Sequence, residues 1–77
     1  MGVAAVHEVV HVFIDEVRYD FDHPTATGLE LKRRAGARPI DGLYVKERGR
    51  LREIANDEVV ALKNGEHFSI VPDGQVS

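Results

Sequence analysis

Two β-branched, apolar runs separated by only two acidic residues leave the first quarter of this chain one simple solution, an antiparallel hairpin. Residues 8–14, Glu-Val-Val-His-Val-Phe-Ile, set Val10, Val12 and Ile14 on one face at period two. Beyond Asp15-Glu16, Val17, Tyr19 and Phe21 alternate strictly with Arg18, Asp20 and Asp22, the pattern of a strand buried on one side. Asp-Glu is not a favoured pair for a type I′ turn, whose two central residues both need positive φ, so the loop is expected to be longer than two residues.

His23-Pro24 ends the second strand, because proline cannot donate to a sheet ladder and restricts the residue before it. Thr27-Gly28-Leu29-Glu30 then has the form of a capping box, with the Thr27 hydroxyl accepting from the Glu30 amide and the Glu30 carboxylate from the Thr27 amide. A helix of two to three turns follows. Leu31 and Ala35 share its inner face, Lys32, Arg33 and Arg34 suit its C-terminal dipole, and Gly36 suits the left-handed position beyond its end.

Residues 39–42 read as a turn and 43–46 as a third strand with Leu43 and Val45 inward. Arg48-Gly49-Arg50 turns the chain, Leu51 and Ile54 are expected in the core, and Asn56-Asp57 is expected to cap a short helical turn through Glu58, Val59 and Val60. Asn64-Gly65 marks another turn. In 67–71, Phe68 and Ile70 share one face, Ser69 and Val71 the other, before Pro72 ends the run. The order β-β-α-β-β describes an α+β fold in which a mixed sheet of four or five strands packs on one short helix, as in a β-grasp. A ferredoxin-like or barrel arrangement shares this element list.

A chain of 77 residues is one domain, and at this size folding buries only roughly 60–65% of the unfolded surface, leaving little core to enclose a deep catalytic cavity. Ten Lys and Arg against 13 Asp and Glu give a formal charge of -3, which disfavours binding to phosphate backbones or anionic lipid. The absence of cysteine excludes disulfides, thiolate nucleophiles and zinc ribbons. The apolar start has no basic flank and is interrupted by His7, Glu8 and His11, so it is read as neither a targeting nor a spanning segment. Residues 1–7 are read as a frayed terminus, 8–72 as the domain and 73–77 as a flexible tail, in a cytoplasmic monomer.

Residue clusters with chemical potential resolve mostly into ordinary surface. His7 and His11 share a spacing known from helical zinc sites, yet on a strand they stand about 13 Å apart. Thr25, Thr27, Ser69 and Ser77 are turn, cap, strand and tail residues, and no Ser/His/acid set forms. The glycines sit singly at separate turns and make no phosphate loop. Lys32-Arg33-Arg34 with Arg38, and Arg48, Arg50 and Arg52, are two basic groups read as solvated surface, and Asp20, Asp22 and His23 are read as facing water. No metal or other cofactor is expected. With the strand parities above, His11, Phe13, Tyr44, Ser69 and Val71 emerge together on the open face of the sheet, and an exposed Phe and Tyr beside Val mark it as a surface for a partner.

Asp15, Thr27-Gly28 with Leu31, Ala35-Gly36, Asp57-Glu58-Val59, Leu62-Lys63, Gly65, His67-Phe68 and Val71-Pro72 together resemble the bacterial multiubiquitin family over residues 10–72. The resemblance implies a ubiquitin-like module, often in tandem copies, with partners similar to activating (E1-like), conjugating (E2-like) and deconjugating peptidase proteins. Two positions depart from the family pattern. Glu16 stands where a glycine is expected in the first hairpin, and the tail Pro72-Asp73-Gly74-Gln75-Val76-Ser77 has one glycine rather than a pair. A peptidase exposes Gly74 by removing 75–77, or the unit is a piece of a longer chain, or it is not conjugated. The leading expectation is a bacterial modifier attached to target proteins through Gly74. An unconjugated docking module or tandem unit comes second, a sulfur carrier third and an enzyme last.

Overall fold

The computed structural model describes residues 9–74. Along the chain run β1 (Val10–Ile14), β2 (Val17–Phe21), β3 (Thr25–Thr27), α1 (Gly28–Arg34), β4 (Gly42–Glu47), β5 (Arg50–Glu53), β6 (Val59–Ala61) and β7 (Glu66–Val71). Five strands form a sheet in the order β2-β1-β7-β4-β5, and β3 pairs with β6 in a separate two-stranded ribbon. β1 and β7 are parallel at the middle of the sheet, with Val12 opposite Glu66, Phe13 opposite His67 and Ile14 opposite Phe68. The other neighbours are antiparallel. The expected order and mixed sheet are borne out, with three additional short strands.

Strand parity builds the core. Val12 and Ile14 of β1, Leu43 and Val45 of β4 and Phe68 of β7 point to the same side and meet Leu31 of the helix and Ile54, all essentially without exposure. Full burial of side chains of this size stabilises by about 1.5–3 kcal/mol each. Phe21, Ala26, Val60 and Leu62 close the margin of this cluster. The capping box forms as the sequence predicts: Glu30 N donates to Thr27 Oγ1 at 3.1 Å and Thr27 N to Glu30 Oε1 at 2.8 Å. Gly36 takes φ +78° just past the helix.

Several local expectations are corrected. The β1–β2 loop is the two-residue turn Asp15-Glu16, both with positive φ (52° and 68°). Asp15 tolerates this because the neighbouring strand holds it: its amide donates to the Phe68 carbonyl at 2.9 Å and its Oδ1 accepts from the Ile70 amide at 3.0 Å. Glu16, where the resemblance leads one to expect glycine, occupies the left-handed region at φ 68°. Val17 and Leu51 lie outside the core, at 53% and 63% exposure: Val17 stands at the hairpin end of edge strand β2, and Leu51 on edge strand β5 shares the parity of Lys46 rather than of buried Val45. The segment after Asn56-Asp57 is not a helical turn but strand β6, with Val60 opposite Ala26 of β3.

The reason lies in side chains committed elsewhere. Asn56 does not cap; its Oδ1 accepts from Lys32 Nζ at 2.6 Å and its Nδ2 donates to the Pro39 carbonyl at 3.0 Å. Lys32, expected on the solvated helix surface, is buried at 4% exposure and also donates to the Pro39 carbonyl. One ammonium thus ties the helix to two loops, and no buried side-chain polar atom among the described residues lacks a partner.

The helix start is locked to the 55–58 turn. Gly28 N donates to the Glu58 carbonyl and Leu29 N to the Asn56 carbonyl, each at 3.0 Å. A β-carbon at Gly28 would fall 2.2 Å from the Ala55 carbonyl oxygen, so the backbones approach closer than any other residue permits. Gly28→Ala is expected to destabilise the domain by about 1–3 kcal/mol, lowering Tm by on the order of 10 °C. A thermal melt matching the parent protein would contradict this contact.

Candidate functional site

Among the described residues no segment covers the face of the sheet opposite the helix, and the central parallel pair organises that face. Phe13 of β1 stacks on His67 of β7 with ring centroids 4.9 Å apart and planes 13° from parallel. His11 meets the Phe13 ring edge-on at 6.1 Å. Such pairs contribute about 0.5–1.5 kcal/mol beyond their buried area. Further along β7, Ser69 lies opposite Tyr44 and Val71 opposite Gly42 of β4. The Tyr44 ring leans along its own strand over Gly42, where a β-carbon would come within 3.0 Å of Cε1. Glycine at 42 therefore gives the tyrosine room to lie flat toward the Val71 row.

All five residues expected on this face, His11, Phe13, Tyr44, Ser69 and Val71, are on it; the first four are half-buried and Val71 is exposed. The face also contains His67, which the sequence reading passed over although it shares the parity of Ser69 and Val71. Glu16 Oε2 stands 3.8 Å from His67 Nδ1 at the hairpin end. The result is an aromatic and imidazole row over β1 and β7 that continues into Tyr44 and Val71.

Val71 leads directly to the C-terminal segment, and its root is fastened. Asp73 N donates to Asp41 Oδ1 at 2.8 Å, and Arg38 Nη2 donates to the Asp73 carbonyl at 2.9 Å. The same Asp41 carboxylate accepts from the Arg38 amide at 2.7 Å and from Arg38 Nη2 at 2.9 Å. Asp41 is buried at 6% exposure. The Asp73 amide, then the Arg38 amide and guanidinium, hold its carboxyl down at about 2. Gly74, the expected attachment residue, follows this anchor, exposed and with φ +80°. Residues 75–77, like the expected frayed segment 1–7 and with it His7, lie outside the described residues.

The remaining clusters have internal roles. Asp20 is paired with Arg18 at 2.9 Å, and Asp22 with His23 at 3.4 Å. The Arg34 guanidinium sits 4.7 Å from the Phe21 ring centroid. Among the described residues, no three His, Asp or Glu side chains stand close enough together to hold a metal ion. No helix there is long and apolar enough to cross a membrane.

A mixed sheet with a parallel central pair, one short helix across one face and the chain's last strand leading into an exposed glycine define a ubiquitin-like β-grasp protein. The family model described as multiubiquitin matches residues 10–73, and the chain belongs to that family. Neither the curated proteins nor the solved structures contain a match.

The anchor at Asp41 has a definite pH signature. Because its folded value lies below its unfolded value of 3.8, Asp41 contributes stability that is fully present above pH 4 and is lost as pH falls through about 2. Asp41→Asn is expected to melt several degrees below the parent at pH 6, with the gap narrowing between pH 4 and pH 2. Melting curves at a constant separation across that range would contradict the assignment.

Proposed function

We propose that this chain is a bacterial, cytoplasmic ubiquitin-like modifier, without catalysis of its own, joined to target proteins through Gly74 after a peptidase removes 75–77. The observation that carries this reading is the Asp41–Arg38 anchor on Asp73, which fixes where the C-terminal segment leaves the body and leaves Gly74 exposed immediately beyond it. Activation of a C-terminal carboxylate requires the tail to enter a narrow site on an E1-like enzyme, and glycine lets the backbone approach closely there. A rooted tail next to Val71 and Tyr44 presents the attachment point and the recognition face together, so that E1-like, E2-like and deconjugating partners contact both at once. The half-exposed Phe13 and Tyr44 rings are the anchors of that contact.

One observation favours a second reading, an unconjugated docking module or one unit of a tandem array: the tail has a single glycine and continues as Gln75-Val76-Ser77. The two separate in cells that carry the native neighbouring genes, by intact mass and by blotting for higher-mass forms. The modifier reading expects loss of the three residues after Gly74 and adducts that vanish in Gly74→Val. It also expects Phe13→Ser/Tyr44→Ser to lose most adducts while remaining folded in a thermal melt. A full-length mass without adducts, or adducts that persist in Gly74→Val, would overturn it.

A further inference from the structure

The cations of this chain are divided into two unlike sets. Most of those outside the β4–β5 hairpin are consumed internally: Lys32 by Asn56 and Pro39, Arg18 by Asp20, Arg34 by the Phe21 ring and the Asp20 carbonyl, and Arg38 by Asp41 and Asp73. The other set, Lys46, Arg48, Arg50, Arg52 and Lys63, lines one concavity of about 730 Å³ to which the helix contributes no residue. Of these only Arg52 is spent, on Glu47 at 3.2 Å and Glu58 at 2.6 Å. The side chains of Lys46, Arg48, Arg50 and Lys63 make no ion pair or hydrogen bond among the described residues.

The local charge is large for so small a protein. Five cations against the two carboxylates of the lining, Glu47 and Glu66, give +3, in a chain whose formal total is -3, so everything outside the concavity carries -6. Both lining carboxylates are already engaged: Glu47 accepts from Arg52, and half-buried Glu66 accepts from the Lys63 amide at 3.3 Å. The free positive field is therefore that of the lysines and arginines. Arg48 takes φ +52° in the two-residue turn between β4 and β5 and is exposed.

The same end of the molecule offers backbone as well as charge. β5 is an edge strand, exposed at all four residues. Ile54 N donates to the Leu43 carbonyl at 2.8 Å, so bonded pairs recur at Arg52 and Arg50, and the Leu51 and Glu53 amides turn outward, away from β4. Leu51, 63% exposed and opposite Lys46, adds an apolar contact. Unpaired amides, four free cations and one exposed leucine are complementary to an extended segment with carboxylates and an apolar residue.

We infer that the β4–β5 end is a docking site for an extended acidic segment of a partner protein, added along β5 as a further strand. Its carboxylates meet Arg48, Arg50 and Lys63, and apolar side chains on its other face cover Leu51 and the stem of Lys46. A long polyanion such as a nucleic acid is disfavoured, because the rest of the surface is net acidic and no aromatic ring lines the concavity to stack on a base. The inference does not depend on whether Gly74 is conjugated.

The test is fluorescence anisotropy with a labelled peptide, Glu-Val-Asp-Leu-Glu-Val-Asp, against the full chain. Saturable binding is expected that weakens at least tenfold in Arg48→Glu/Arg50→Glu, falls between 50 and 300 mM salt, and is absent for the peptide with Gln and Asn in place of the acids. Lys63→Glu serves as a second variant, and thermal melts show that both variants remain folded. Amide shifts on peptide addition should centre on Leu51 and Glu53. Binding unaffected by either variant, an equal affinity for a single-stranded DNA oligomer, or self-association of the chain through this end would overturn the proposal.

Discussion

The parallel pairing of β1 with β7 is the contact on which the rest of the molecule depends. It joins residues 12–14 to 66–68, so nearly everything between must be accommodated as one long crossover. The first hairpin can occupy only the β2 side of that pair, and the β4–β5 hairpin only the other. Val12, Ile14 and Phe68 thereby meet beneath the helix, while Phe13 and His67 stack on the far side. Asp15 extends the pairing by one more step with its side chain, which converts an unfavourable turn sequence into a fixed corner.

A short helix then leaves much of the molecule's surface available. Seven helical residues suffice because their start is welded to the 55–58 turn at Gly28 and their middle is pinned by the buried Lys32 ammonium. The Thr27-Gly28 helix start and the beginning of the 57–72 stretch, the two parts of the sequence that most resemble the family, thus meet where Gly28 donates to the Glu58 carbonyl. What the helix leaves uncovered are the open sheet face with the tail root beside it, and the basic end at β5. The proposed recognition face, tail root and basic end all lie outside the buried core.

Much of this was legible in the residues. Period-two alternation placed Val10, Val12, Ile14, Leu43, Val45 and Phe68 inside and put His11, Phe13, Tyr44, Ser69 and Val71 on the opposite face. The capping box and Gly36 delimited the helix, because those signals are local. The departures at the two turns share one cause, a distant partner overriding a local preference. Asp15-Glu16 adopts a tight turn because β7 supplies its hydrogen bonds. Asn56 leaves its expected capping role because Lys32 claims its side-chain oxygen Oδ1, and Val60 joins a strand because Ala26 lies across from it. Arg50-Leu51-Arg52-Glu53 carries no apolar alternation, since an edge strand exposed on every side needs none, and so Leu51 was assigned inward on hydrophobicity alone. His67 was legible by parity and overlooked for its chemistry. The Asp41 anchor had no sequence signal, being made by residues 32 positions apart.

The central claim is that the chain's first and last strands pair in this register, with Asp15 as its closing residue. Hydrogen exchange of the backbone amides, resolved residue by residue, tests it most directly. Asp15 sits at the tip of an exposed two-residue turn, yet its amide is predicted to exchange as slowly as those inside β1 and β7, while that of Glu16 beside it exchanges rapidly. An Asp15 amide as fast as Glu16 would mean that the turn is not held by Phe68, and the account of the sheet and of both faces built on it would be wrong.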